Sequence, residues 1–404
     1  MKSRIITLCL FGLTATVVAF YPVIKDGMAV TGQHNINQQQ ENQAAQTENA
    51  QKIEMVFALD TTGSMSGLIA AAKDKIWSIA TNMAQAKNNP EIRIGLVAFR
   101  DRGDAYVTRV VDLSSDLDSV YSQLMDFQAG GGGDTPESVN QALHDAVHKI
   151  NWSQEDNTYR VIFLVGDAPP HMDYPDDVKF PVSVQAAREK GIRVNAIQCG
   201  SDPMTTNRWQ AIASLGQGDF FNVEQNGSAV AVTTPYDEKL ANLSRKLDET
   251  RMYYGSREEM ARKESKVAAT EKVHREASVE SRARRAMFNS SDSGKKNQIG
   301  DGDLVEDVTS GRVDLESVPA AKLPAPLRDM PAVEQEKIIR ETEQKRQKLK
   351  AEILQLSEQR KKYVNDELKD RDNVSESLDN KLIGTLRKQA SEKGLVYEEK
   401  AITY

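Results

Sequence analysis

Apolar positions along this 404-residue chain follow two different periods. From Lys52 onward, near-continuous apolar runs of strand length recur at residues 53–59, 92–99, 160–165 and 193–198, with shorter ones at 106–113 and 220–223. Between them lie segments with helical spacing near 67–86, 137–150 and 182–190, and an amphipathic helix through Leu240, Leu243 and Leu247 follows the last strand. Strands that are apolar on both faces and separated by helices imply a mostly parallel sheet covered on both sides. The pattern predicts an α/β fold, a doubly wound sheet over about residues 50–250. Ligands in such sheets sit at the carboxyl ends of the strands.

The flanks read differently. Lys2 and Arg4 precede an uncharged, apolar stretch at residues 5–24, which makes residues 1–30 an export signal or an N-terminal anchor. Val17-Val18-Ala19 offers small residues for cleavage, and the same stretch is long enough to span a bilayer. Residues 31–51 are a polar tether, and the sheet domain occupies 52–250. Residues 251–303 read as an exposed charged helix and a polar linker, and 304–404 as a helical, partly disordered C-terminal region. Within it, 304–330 alternates well enough to predict a small strand-containing piece. Residues 334–370 form a long charged helix with apolar positions at Leu349, Ile353, Leu356 and Tyr363. Arg360 or Glu367 falls at the next heptad position, so the stripe is too weak for a coiled coil and packing on the protein or a partner is expected.

Composition narrows the setting. The hydrophobic fraction is 39%, below the globular average of roughly 45–50%, so part of the chain lacks a core of its own. A net charge of −7 gives no basic face for nucleic acid. Cys9 lies in the leader and Cys199 in the body, so the exported chain has no intramolecular disulfide. Export without disulfides points to a bacterial envelope protein, periplasmic or anchored in the inner membrane facing the periplasm.

Three loops bring small oxygen donors to the carboxyl edge of the sheet. "FALDTTGSMSG" (57–67) ends a strand on Asp60, followed by Thr62 and Ser64; "GGGGDTPES" (130–138) turns on glycines before Thr135; "VIFLVGDAPPH" (161–171) delivers Asp167. Taken singly, each is ordinary turn and helix-cap chemistry. Carboxylates and hydroxyls with no nearby Cys or His suit a hard cation, Mg²⁺ first, with Mn²⁺ or Ca²⁺ as alternatives.

These motifs, in this order, resemble the von Willebrand factor A family over about residues 52–250. The family's Asp-x-Ser-x-Ser stands here as Asp60-Thr61-Thr62-Gly63-Ser64, with Thr62 keeping the hydroxyl; the family's threonine is matched by Thr135 and its later aspartate by Asp167. The wider wording is similar to a subgroup that includes the A domain of alpha-type kinases and many bacterial envelope proteins. The resemblance implies a metal-ion-dependent adhesion site. Thr62, Ser64 and Thr135 would offer hydroxyls to the ion, Asp60 and Asp167 would bind it directly or through water, and the ion would grip an Asp or Glu of a protein partner. The subgroup's kinase is absent, because nothing in 251–404 combines a glycine loop with strand-borne lysine and acid motifs.

Other motifs carry less. "HDAVH" (144–148) spaces His144 and His148 like zinc ligands, but Asp145 stands where a glutamate base would be and no third ligand is evident. Arg102-Gly103-Asp104 reads as a turn beside the site. His171 either lines the rim or caps its own loop. Two function classes remain: a metal-dependent protein-binding module of the envelope, which is favoured, and a metal-assisted hydrolase with His171 or Asp134 as base.

Overall fold

A computed structural model describes residues 51–133, 135–224, 232–369 and 378–398 of the chain. The leader, the tether up to residue 50 and Asp134 lie outside the described residues. Among the described residues no helix is long and apolar enough to cross a membrane.

Six strands form one sheet in the order β3-β2-β1-β4-β5-β6. They are β1 (Lys52–Asp60), β2 (Glu91–Phe99), β3 (Thr108–Ser114), β4 (Thr158–Gly166), β5 (Ile192–Cys199) and β6 (Gln217–Val223). All neighbours run parallel except β3, an antiparallel edge strand on β2. The central strands are buried along their length, as expected for a sheet covered on both faces. Strand order reverses between β1 and β4, so their carboxyl ends open the crevice where doubly wound sheets bind ligands.

Alternate residues of the strands feed two cores. On one face Met55, Phe57, Leu96 and Phe163 pack with Trp77 of α1 (Ser66–Met83) and Tyr121 of α2 (Leu117–Met125). On the other, Val56, Val97, Ile162 and Val194 pack with α3 (Val139–His148), α4 (Phe180–Glu189) and α5 (Pro203–Leu215). Helices α2 and α5 fall where the sequence pattern marked only connections.

The C-terminal helices share the first of these cores. Residues 51–404 cluster as one compact unit. After α6 (Asp237–Asp248) come α7 (Arg257–Glu276), α8 (Val279–Ser290), α9 (Lys295–Ile299) and α10 (Leu304–Thr309). The long α11 (Ala332–Lys369) and α12 (Leu378–Ser391) follow. Val273, Phe288, Leu382 and Leu386 lie in the same cluster as the strand residues. The exposed helix expected over 251–290 is thus two helices with buried faces. The strand expected in 304–330 is replaced by α10 and short 3-10 turns, because Pro319, Pro324 and Pro326 suit turns and supply no ladder donors. Helix α11 packs its Leu349, Ile353 and Leu356 against α6 and α8.

Polar side chains join these layers as well. Arg285, fully buried, donates to both oxygens of Asp118 at 2.6 and 2.5 Å and to Asp248 at 2.7 Å. Arg346 pairs with both oxygens of Asp303, and Arg360, at the weak heptad position, donates to Asp237 at 2.7 Å.

Candidate metal centre

Strand β1 is apolar from Met55 to Leu59 and closes on Asp60, which is 1% exposed. Thr61 pins the exit of the strand: its N–H and hydroxyl both donate to the carbonyl of Phe99 at the end of β2, at 2.9 and 2.8 Å. The chain then turns back on the acid. Asp60 Oδ1 accepts the Thr62 N–H at 2.9 Å and the Thr62 hydroxyl at 2.7 Å, and Thr62 Oγ1 lies 3.4 Å from Ser64 Oγ. This is a turn built on an aspartate side chain. It leaves Asp60 Oδ2 buried with no hydrogen-bond partner.

Gly166 explains how the end of β4 comes so close. A Cβ at that position would stand 2.8 Å from the Cβ of Asp60, so only glycine fits. The next residue, Asp167, is half-buried, its main-chain N–H faces the Asp60 carboxyl, and its carbonyl accepts the Thr205 hydroxyl at 3.1 Å.

The main chain fastens the three loops to one another. Gly63 N–H donates to Gly131 O, and Gly130 N–H to Thr61 O, each at 3.1 Å. Glu137 N–H donates to Pro169 O at 3.0 Å, and its carbonyl accepts the His171 N–H at 3.2 Å. Arg100 donates to the carbonyls of Thr61 and Gln128. Asp104, in the Arg-Gly-Asp turn, accepts the N–H of Gly132 at 3.0 Å and so holds the glycine loop in place.

Of the five residues singled out in the sequence, Asp60, Thr62, Ser64 and Asp167 meet at the β1/β4 crevice. Thr135 is exposed on the adjoining loop, and among the described residues no hydrogen bond joins its side chain to the other four. A further acid, Glu137, lies beside them. It is 3% exposed with Oε2 unpartnered, and the sequence had shown it only as a residue behind a helix cap.

The electrostatics agree with the geometry. Burial pushes the Asp60 carboxyl up to about 7 against the Thr62 hydrogen bonds, and the charge of Asp167 adds to the rise. Burial, then the charges of Asp60, Asp101, Asp104 and Asp167, push Glu137 up to about 9. Two buried acids with unpartnered oxygens favour a cation, which supplies the partner those oxygens lack. The donors are carboxylates and hydroxyls, so the residues present fit a hard divalent ion.

The rival motifs have local roles. His171 is buried, with Nδ1 2.8 Å from Asp173 Oδ1 and its ring stacked 3.9 Å from that of Tyr174. Asp145, between His144 and His148, is taken up by Thr108, Gln141 and Lys149.

Residues 54–227 match the family model of the von Willebrand factor A domain. The chain is 38% identical over 91 residues to von Willebrand factor A domain-containing protein 7 of Homo sapiens, covering 22% of this chain and 10% of that one. It is 26% identical over 129 residues to an ariadne-like RING finger protein of Acanthamoeba polyphaga mimivirus, covering 31% and 12%. The chain therefore spans about a tenth of the length of these curated relatives. Among solved structures it is similar to proximal thread matrix protein 1 from the mussel byssus with a zinc occupied MIDAS motif. That similarity has 16% identity and a TM-score of 0.35, and covers 44% of this chain and 43% of that one.

Proposed function

We propose that this chain is a metal-ion-dependent protein-binding module of the bacterial envelope, exported or anchored through residues 5–24, and that its A domain grips an acidic side chain of a partner. The observation that carries the reading is Asp60 Oδ2: a buried carboxylate oxygen without a partner, at the sheet's switch point, with the Thr62 and Ser64 hydroxyls and Asp167 around it.

Asp60 and Asp167 would hold the cation directly or through water, with Thr62, Ser64 and Thr135 as neutral oxygen donors. A divalent cation, Mg²⁺ first, supplies an electrophilic position that a partner's carboxylate can fill. The chain's own part is to keep that position open and rigid. Thr61 and Arg100 tie the β1 exit to its neighbours, Gly166 admits Asp167, and the main-chain bonds of Gly63, Gly130 and Glu137 stop the loops from drifting apart. The C-terminal helices would scaffold this domain and carry the interaction onward. The hydrolase alternative needs an accessible base, and the burial and stacking of His171 support binding instead.

The test is capture from envelope extract with the wild-type chain, with and without EDTA, beside Asp60→Ala and Asp167→Ala. The reading expects a partner retained only by wild type with Mg²⁺ or Mn²⁺ present, and released when the partner's own Asp or Glu is changed to the amide. Full-strength capture in EDTA and in both variants would move the interaction to the helices after residue 250.

A further inference from the structure

Glu137 extends the cation site beyond its five residues, and its role there rests on the cation reading proposed above. Its side chain is delivered by the loops that carry Thr135 and Asp167, since its own N–H and carbonyl are bonded to Pro169 and His171. It faces the third loop. The point where a Cβ on Gly132 would stand lies 3.1 Å from Glu137 Oε1 and 2.8 Å from Thr62 Cβ, so the carboxylate lies next to Thr62 across a gap. Gly132, at φ 72°, keeps that gap clear.

Asp101 offers a useful contrast. It is also buried, but Ser138 and Tyr174 donate to its two oxygens at 2.8 and 2.9 Å. Glu137 Oε2 has no such donor although the residue is 3% exposed. A buried acid oxygen without a donor is costly, and persists where something not belonging to the chain completes it. Direct ligation is the less suitable answer, because among the described residues no three His, Cys, Asp or Glu side chains are close enough to hold one ion.

We propose that Glu137 is an outer acid of the cation site, which holds the hydrated ion through an intervening water beside Thr62. The ligand class this implies is a small, strongly hydrated divalent cation. Mg²⁺ and Mn²⁺ polarise their waters and keep several of them, so an acceptor for a metal-bound water favours them over Ca²⁺, which takes more direct oxygen ligands.

The experiment is a titration of the full chain with Mn²⁺, and separately with Ca²⁺, near neutral pH, for wild type, Glu137→Gln, Glu137→Asp and Glu155→Gln. The last makes the same charge change at the opposite edge of the sheet, ahead of β4. Loss of an outer partner typically weakens metal binding by about 10–100-fold. Glu137→Gln is expected to raise the Mn²⁺ Kd by that much and the Ca²⁺ Kd by less. Glu137→Asp, with its charge one methylene back, should fall between Gln and wild type, and Glu155→Gln should stay within about twofold. Wild-type Mn²⁺ affinity in both Glu137 variants overturns the role of Glu137 alone. No binding by wild type overturns the cation reading and this inference with it.

Discussion

Two clusters of buried acids in this chain have opposite fates. At the carboxyl edge of β1 and β4, Asp60 and Glu137 are buried with unpartnered oxygens, and both are pushed above the usual carboxylate range. Beneath α2, α6 and α8, burial would raise Asp118 and Asp248 in the same way. There the guanidiniums of Arg285 and Arg251 outweigh it, so that Asp248 is held at about 2 and Asp118 lower still. His274 adds a 2.7 Å contact to Asp248. One residue type thus serves two ends. The paired acids join the C-terminal helices to the sheet domain, and the unpaired ones leave an unmet demand for positive charge at the surface a partner would meet.

The comparison breaks most visibly at Arg285. Replacing it with Met takes the two-oxygen partner from Asp118 and leaves Asp248 to Arg251 and His274, and removal of one member of a buried ion pair costs about 3–5 kcal/mol. Urea unfolding of Arg285→Met should show a loss of that size, and a loss under about 1 kcal/mol would deny the network its structural role.

Acid titration gives the next largest effect. A carboxyl lowered by folding contributes stability above its unfolded pKa, near 3.9, which is lost as pH falls through the folded value. For Asp248 alone that is about 2 kcal/mol, lost between about pH 4 and 2. Thermal melts across that window should show a loss smaller by about that amount in Asp248→Asn than in wild type, since Asp118 contributes in both.

The smallest effect on stability is expected at the site. Asp60→Asn removes a buried acid whose raised pKa reverses the sign: its contribution is present below about 3.9 and lost as pH rises towards about 7. In EDTA at neutral pH, Asp60→Asn should therefore melt no lower than wild type, or within about 1 kcal/mol of it. A loss as large as that of Arg285→Met would make Asp60 a structural acid and erase the distinction between the clusters.

The sheet and most of the candidate site were legible for a physical reason. A buried parallel strand is written as a near-continuous apolar run, so an acid at its end, such as Asp60 or Asp167, stands out. What the sequence concealed depends on partners distant in the chain. Arg285, Arg346 and Arg360 look like solvated helix charges until Asp118, Asp303 and Asp237 are found opposite them. That is why the helix after residue 250 read as exposed when much of it is buried. Glu137 was hidden differently. At the start of α3 it looks like a capping residue, and only the main-chain bonds to Pro169 and His171 show that it faces Thr62. Helix α5 went unseen because its apolar residues, Trp209, Ile212 and Ala213, make a short stripe among polar neighbours.

The central claim is that the unpaired acids at the sheet edge exist to hold a cation. Calorimetric titration of Mn²⁺ into the EDTA-stripped full chain, wild type against Asp60→Asn, tests it most directly. The account predicts saturable binding at a single site in wild type and none in Asp60→Asn, which melts like its parent. Failure of wild type to bind Mn²⁺, Mg²⁺ or Ca²⁺, or equal binding by Asp60→Asn, would contradict it.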